Sequence, residues 1–185
     1  MDFAQRSYRD KLGGIVIQSL LGPAVDRKGF EKLMFPAIDV GLEGWQRAHA
    51  QGGGTGFESA HAIRYAPEEV NQSFQRLGIE RYIRELIATK PDDVDLWLTT
   101  VTTTHPRSLR LKEIQYRLDE LPKGQVRRSL AMRLLEAEII VSDDRVAPRV
   151  GGSVTPYLLD ESKTALNQPA GDRQRANKQT DEERF

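Results

Sequence analysis

No cysteine occurs in the 185-residue chain, so disulfides, thiolate nucleophiles and cysteine-based zinc sites are excluded together. Net charge is absent as well: 27 Lys and Arg balance 27 Asp and Glu. That balance argues against a protein held to nucleic acid by bulk charge, but leaves room for a local basic groove. Long hydrophobic runs are missing too. The longest apolar stretch, Gly13 to Val25, is interrupted by Gln18 and Ser19 and is too short to span a bilayer. With Asp10 and Lys11 at its front edge it makes no signal-peptide core, so an exported form is expected to leave by another route. Aromatic residues make up only 7% of the chain and histidine occurs three times, which concentrates attention on where those few stand.

Two of the three histidines lie close together: His49 within the stretch Trp-Gln-Arg-Ala-His-Ala-Gln-Gly-Gly-Gly-Thr-Gly-Phe-Glu-Ser over Trp45 to Ser59, and His61 two residues beyond it. Arg47 and His49 precede four glycines (Gly52, Gly53, Gly54, Gly56), and Glu58 follows them. Imidazole can move a proton near neutral pH, guanidinium can hold a phosphate through paired hydrogen bonds, and glycine lets a backbone approach a ligand. The plain alternative is a surface loop. The run is not a P-loop, because no Gly-Lys-Ser/Thr follows, and no strand-turn-helix frame makes it a dinucleotide fingerprint. His49, Glu58 and His61 have no diagnostic metal-ligand spacing. Neither a metal nor a cofactor is expected.

The chain length suits one domain. A lead-in segment of helical character is expected over residues 1–41, with Phe3 to Lys11 a short helix stopped by Gly13-Gly14. Ile15 to Leu21 reads as helix or strand, and Phe30 to Met34 as a helical turn. Pro67 to Thr89 gives the strongest helical pattern, with Pro67 at the first turn, Val70, Phe74 and Leu77 on one stripe, and a kink at Gly78. Strands follow: Val94 to Thr104, Leu109 to Leu118, Leu130 to Val141, and a short edge strand in Arg149 to Leu159. Residues 160–185 are polar and read as a disordered tail. The expected class is α+β: N-terminal helices, then a three- to four-stranded antiparallel β-meander, within a domain spanning 42–159.

The strand region adds a second set of candidates. Thr100, Thr102 and Thr104 share a face and lead to His105, while Arg110, Lys112, Ile114 and Tyr116 share a side of the next strand. Arg107 to Arg133 holds eight basic residues against three acidic ones, enough for a sheet face that meets a phosphodiester backbone. A solvated sheet surface explains the same pattern.

The elements Trp45-x-Arg47-Ala48-His49-x-x-Gly52-x-Gly54-x-Gly56-x-Glu58-Ser59, Tyr65-Ala66-Pro67-x-x-Val70-Asn71-Gln72 and Gly78-Ile79-Glu80-x-x-Ile83-Arg84-Glu85-Leu86 resemble the type 4 domain of bacterial polymorphic toxins. Leu96-Trp97-Leu98-Thr99-Thr100-Val101-Thr102 and Leu111-Lys112-Glu113-Ile114-x-Tyr116 agree with it, so the likeness runs from about Leu42 to Ile140. The resemblance implies an effector that is cytoplasmic in its producer. It would be delivered by a secretion or contractile injection system and neutralised by a cognate immunity protein, and nuclease chemistry is the usual expectation. On that basis the leading expectation is a metal-independent ribonuclease, with DNA as the alternative substrate. His49 acts as general acid or base, His61 or His105 complements it, and Glu58 orients a histidine. Arg47 and Lys112 steady the phosphate, and Thr102, Thr104, Arg110 and Tyr116 position substrate. ADP-ribosyl transfer from NAD, centred on Glu58 or Glu85, is one alternative. A non-enzymatic cargo or binding module is the other.

Overall fold

A computed structural model describes residues 5–26, 28–125 and 128–157, and it corrects the expected class. Among these residues there are eight strands and a single α-helix, with no N-terminal helices. The expected helix at Phe3 to Lys11 is instead strand β1 (Gln5–Arg9), paired antiparallel with β2 (Ile15–Leu20). Asp10 makes the turn between them: its Oδ1 accepts the backbone N–H of Leu12 at 2.9 Å and of Gly14 at 2.8 Å. The glycine pair that reads as a helix stop is therefore a hairpin turn, closed by an Asp side chain that mimics a backbone turn. Ile15, Val16 and Ile17 then find the pleated surface that β-branched residues favour.

Six strands form one antiparallel sheet in the order β1-β2-β5-β6-β7-β8, with β5 Val94–Thr104, β6 Leu111–Pro122, β7 Met132–Val141 and β8 Val150–Pro156. A separate ribbon pairs β3 (Trp45–His49) with β4 (Ile63–Pro67), so the stretch that reads as a loop is flanked by strands. Short 3-10 turns at Phe30–Leu33 and Ala37–Val40 connect β2 to the ribbon. Ile17, Leu96, Leu98, Ile114, Leu118, Leu135 and Ile139 line the inner sheet face, and Trp45, Ala66, Val70, Ile79 and Ile83 close the core from the other side. Burying such side chains contributes roughly 1.5–3 kcal/mol each relative to exposure. The expected tail at 160–185 lies outside the described residues.

The long helical segment also differs from its expectation. Pro67 ends β4, and Val70–Ile79 winds as a π-helix before α1 (Glu80–Thr89) continues it. In a π-helix hydrogen bonds run from i to i+5, so side chains five apart share a face. Val70 and Gln75 are consequently both buried, while Leu77, placed on the apolar stripe by α-helical spacing, is 67% exposed. The wider turn aims an amide inward where a normal helix would aim a leucine.

Candidate functional site

Where β3 ends, the chain passes through the glycine run and returns to β4, and a cleft of about 780 Å³ opens beside it. Two close approaches fix the glycine loop. A Cβ on Gly56 would stand 2.7 Å from the backbone nitrogen of Gly22, and one on Gly53 would stand 2.7 Å from the carbonyl oxygen of Val25. Gly56 also has φ +86°, a conformation that glycine adopts without steric cost. The neighbouring segment is bonded to the loop, Gly22 N–H to Thr55 O at 3.2 Å and Val25 N–H to Gly53 O at 2.9 Å. Beneath it, Gln51 is buried, donates to Ile17 O, Leu98 O and Thr100 Oγ1 at 3.4 Å each, and accepts from Ser19 Oγ at 2.5 Å. Gln51 thus anchors the loop to the sheet.

His49 and Glu58 meet at the cleft floor. The imidazole Nδ1 is 3.5 Å from Glu58 Oε1, and the two side chains are only 7% and 1% exposed. Glu58 Oε2 also accepts the backbone N–H of Lys28 at 2.5 Å, which fixes the carboxylate plane. Gln75 reaches in from the π-helix and donates to His49 O at 2.8 Å and to the Tyr116 hydroxyl at 2.7 Å. Burial pushes the Tyr116 phenol well above its ordinary value. The Gln75 bond opposes that shift and the nearby Glu80 carboxylate adds to it, so the group stays protonated. Arg47 lines the cleft and bonds Met34 O at 3.0 Å. Gln72, Arg76, Glu80 and Arg84 complete the helical wall. Three arginines (Arg47, Arg76, Arg84) face two glutamates (Glu58, Glu80) around this opening.

The model of the Bacterial toxin 4 family matches residues 42–144, more than half of the chain. The chain belongs to the Bacterial toxin 4 family. No curated protein and no solved structure matches it. The match covers β3 to β7 and hence the histidine, the glycine loop and the arginine-bearing helix. As a toxin domain it is compatible with delivery into a target cell, and among the described residues no helix is long and apolar enough to cross a membrane.

The remaining candidates of this toxin domain distribute as follows. Arg47, His49 and Glu58 share the cleft, and Tyr116 lies behind it, joined through Gln75. His61 is exposed in the β3–β4 turn and does not line the cleft, so neither a paired histidine nor a His49–Glu58–His61 ligand set is assembled. His105 belongs to a different cluster: its Nε2 is 3.0 Å from Val141 O, and its Nδ1 is 3.5 Å from Asp143. Arg110 pairs with the same Asp143 and lies 6.0 Å over the Trp45 ring. Thr102 is buried against the core and Thr104 half-buried, and neither lines the cleft.

Lys112 misses the Tyr116 face because of a bulge. Thr103 pairs with Glu113 but Thr104 pairs with Leu111, so Lys112 is the extra residue and its side chain is exposed. Within the basic stretch, Arg117 and Arg133 both bond Asp119, at 2.8 and 2.6 Å, and Arg133 also pairs with Glu136. Gln75, Glu80, Arg76 and Arg84 were the residues missed as site components. Glu80 and Arg84 stand at four-residue spacing, which an ordinary helix-surface ion pair explains equally well, and the sequence carries no separate signal for Gln75 and Arg76.

Proposed function

We propose that this toxin domain is a ribonuclease that cleaves RNA by intramolecular attack of the 2′-hydroxyl, with His49 and Glu80 as its proton-transfer pair. The observation that carries the reading is a buried histidine–glutamate pair at the floor of a cleft lined by three arginines. The 2′-oxygen forms a bond to phosphorus while the bond to the 5′-oxygen breaks. One of the two groups takes the 2′-hydroxyl proton and the other supplies a proton to the departing 5′-oxygen. The products are a 2′,3′-cyclic phosphate and a 5′-hydroxyl, so atoms and charge balance without a protein nucleophile.

Each role follows from environment. Glu58, held by the Lys28 N–H and 3.5 Å from the imidazole, orients His49 and offsets charge that develops on it. Glu80 lines the same cleft and replaces His61 and His105 as the complementary group. Arg47, Arg76 and Arg84 stabilise the extra negative charge of the five-coordinate phosphorus. With the Glu58 carboxylate engaged in this way, the positioning role suits it better than direct attack chemistry on NAD.

Purified protein is expected to degrade total RNA, to leave plasmid DNA intact, and to do so in EDTA, with His49→Ala inactive and still folded by circular dichroism. RNA that survives under every condition, or equal cleavage by His49→Ala, sinks the reading.

A further inference from the structure

The glycines of the loop meet different demands. Gly56 needs its positive φ, and Gly53 stands against the Val25 carbonyl, so both serve the path of the chain. Gly52 has neither constraint. Its φ of −92° and ψ of 164° are extended backbone that any residue adopts. Apart from its two chain neighbours, a single atom of the described residues lies within 4 Å of the place its Cβ would take: Glu80 Oε1, at 3.1 Å.

That distance follows from how the loop meets the helix. Glu80 and Arg84 are four residues apart at the start of α1, and Gly52 and Gly54 are two apart in the loop. A Cβ at position 54 would meet Arg84 Nη1 at 3.5 Å, an ordinary van der Waals contact. The loop therefore runs along the first turn of α1, with Gly52 beside the carboxylate and Gly54 beside the guanidinium. The same carboxylate acts on the buried Tyr116 phenol, adding to its upward shift, and Gln75 joins that phenol to the backbone carbonyl of His49.

Resting on the ribonuclease reading, we infer that Gly52 is a positioning residue for Glu80: the absent side chain leaves the space in which the carboxylate stands to move its proton. Glycine at 52 then serves proton transfer, not folding. A methyl group there presses on the far end of a flexible side chain, which yields by a few tenths of an ångström at little cost to stability. Proton transfer tolerates that shift poorly, because the group must stay within hydrogen-bond reach of the reacting oxygen. The methyl also takes water from the carboxylate, which favours its protonated form and moves its titration to higher pH.

The test is steady-state cleavage of a single-stranded RNA across pH by Gly52→Ala, Glu80→Gln and the double variant. Gly52→Ala is expected to keep the wild-type urea midpoint or exceed it, since alanine at a compatible backbone restricts the unfolded chain. Its kcat should fall about tenfold with KM unchanged, as for a reacting group slightly misplaced. The limb of the pH profile that Glu80→Gln lacks should move to higher pH. In the Glu80→Gln background, adding Gly52→Ala should lower kcat no further. Gly151→Ala controls for the exchange itself and keeps wild-type kcat, since Gly151 lies in β8 with nothing of the described residues within 4 Å of a Cβ. Three results overturn this inference and leave the ribonuclease reading standing: wild-type kcat and profile in Gly52→Ala, an equal further loss in the Glu80→Gln background, or a urea midpoint lowered as far as by Gly56→Ala. RNA left intact by the wild-type protein, or cleaved as fast by Glu80→Gln, removes that reading and this inference with it.

Discussion

Replacing Gly56 by alanine tests whether the glycine loop is held by close backbone contact. Two separate penalties apply. At φ +86° an L-residue loses about 1–2 kcal/mol relative to its favoured conformations. The new Cβ would also lie 2.7, 2.8 and 2.9 Å from the nitrogen, oxygen and carbonyl carbon of Gly22, none of which is a flexible side-chain end. The backbone must open by several tenths of an ångström, a strain comparable with overpacking a core at about 1–3 kcal/mol. The sum is a loss of about 2–5 kcal/mol, a large share of a typical domain's stability. Gly124→Ala supplies the control, since Gly124 has φ +75° but nothing within 4 Å of a Cβ, so only the conformational penalty applies. Urea unfolding of both variants, read as midpoint shifts at constant slope, separates the two contributions. Equal destabilisation by the two substitutions would refute the close-contact argument.

Three further outcomes follow from the site and the sheet. Glu58→Gln keeps the acceptor for the Lys28 N–H but removes the charge beside His49. RNA cleavage should fall about tenfold to hundredfold with a shifted pH profile, against a general acid–base contribution of about 10²–10⁴; an unchanged profile would argue for a purely structural Glu58. Gln75→Leu deprives the buried Tyr116 hydroxyl of its donor and should cost about 1–3 kcal/mol in urea unfolding; a neutral result would mean that the hydroxyl finds another partner. The Glu120 carboxyl is held above its ordinary value of 4.5 by burial and by the Asp93 carboxylate. Its protonated form is therefore the one the fold favours, and its contribution is lost as pH rises through the folded value. Glu120→Gln should thus stabilise the protein near pH 7, with the gain vanishing below pH 4.5, where the wild-type carboxyl is neutral in both states. A gain that persists in acid would contradict that assignment.

The cleft floor was legible in the sequence because its residues are neighbours along the chain. Arg47, His49, the glycines and Glu58 arrive together, and one ribbon turn gathers them. Where several elements combine, local pattern gave less. Gly13-Gly14 has the same appearance as a helix stop and as a hairpin turn, and the partner strand β5, far along the chain, decides for the strand. The π-helix rotates Gln75 into the core and Leu77 out of it, which no α-helical stripe predicts. The bulge at Lys112 reverses the face of one side chain in the middle of an otherwise regular alternation. His105 and Arg110 turn to Asp143 in a distant loop, a long-range pairing that no spacing announces.

The proposed chemistry is tested most directly by the ends of the RNA fragments it would leave. After limited digestion of a defined single-stranded RNA, mass spectrometry of the fragments is expected to find 2′,3′-cyclic phosphates and 5′-hydroxyls. A single 2′-O-methyl at a cleaved position should protect that position alone. Fragments carrying 5′-phosphates, or cleavage that ignores the 2′-O-methyl group, would contradict attack by the 2′-hydroxyl and the roles assigned to His49 and Glu80.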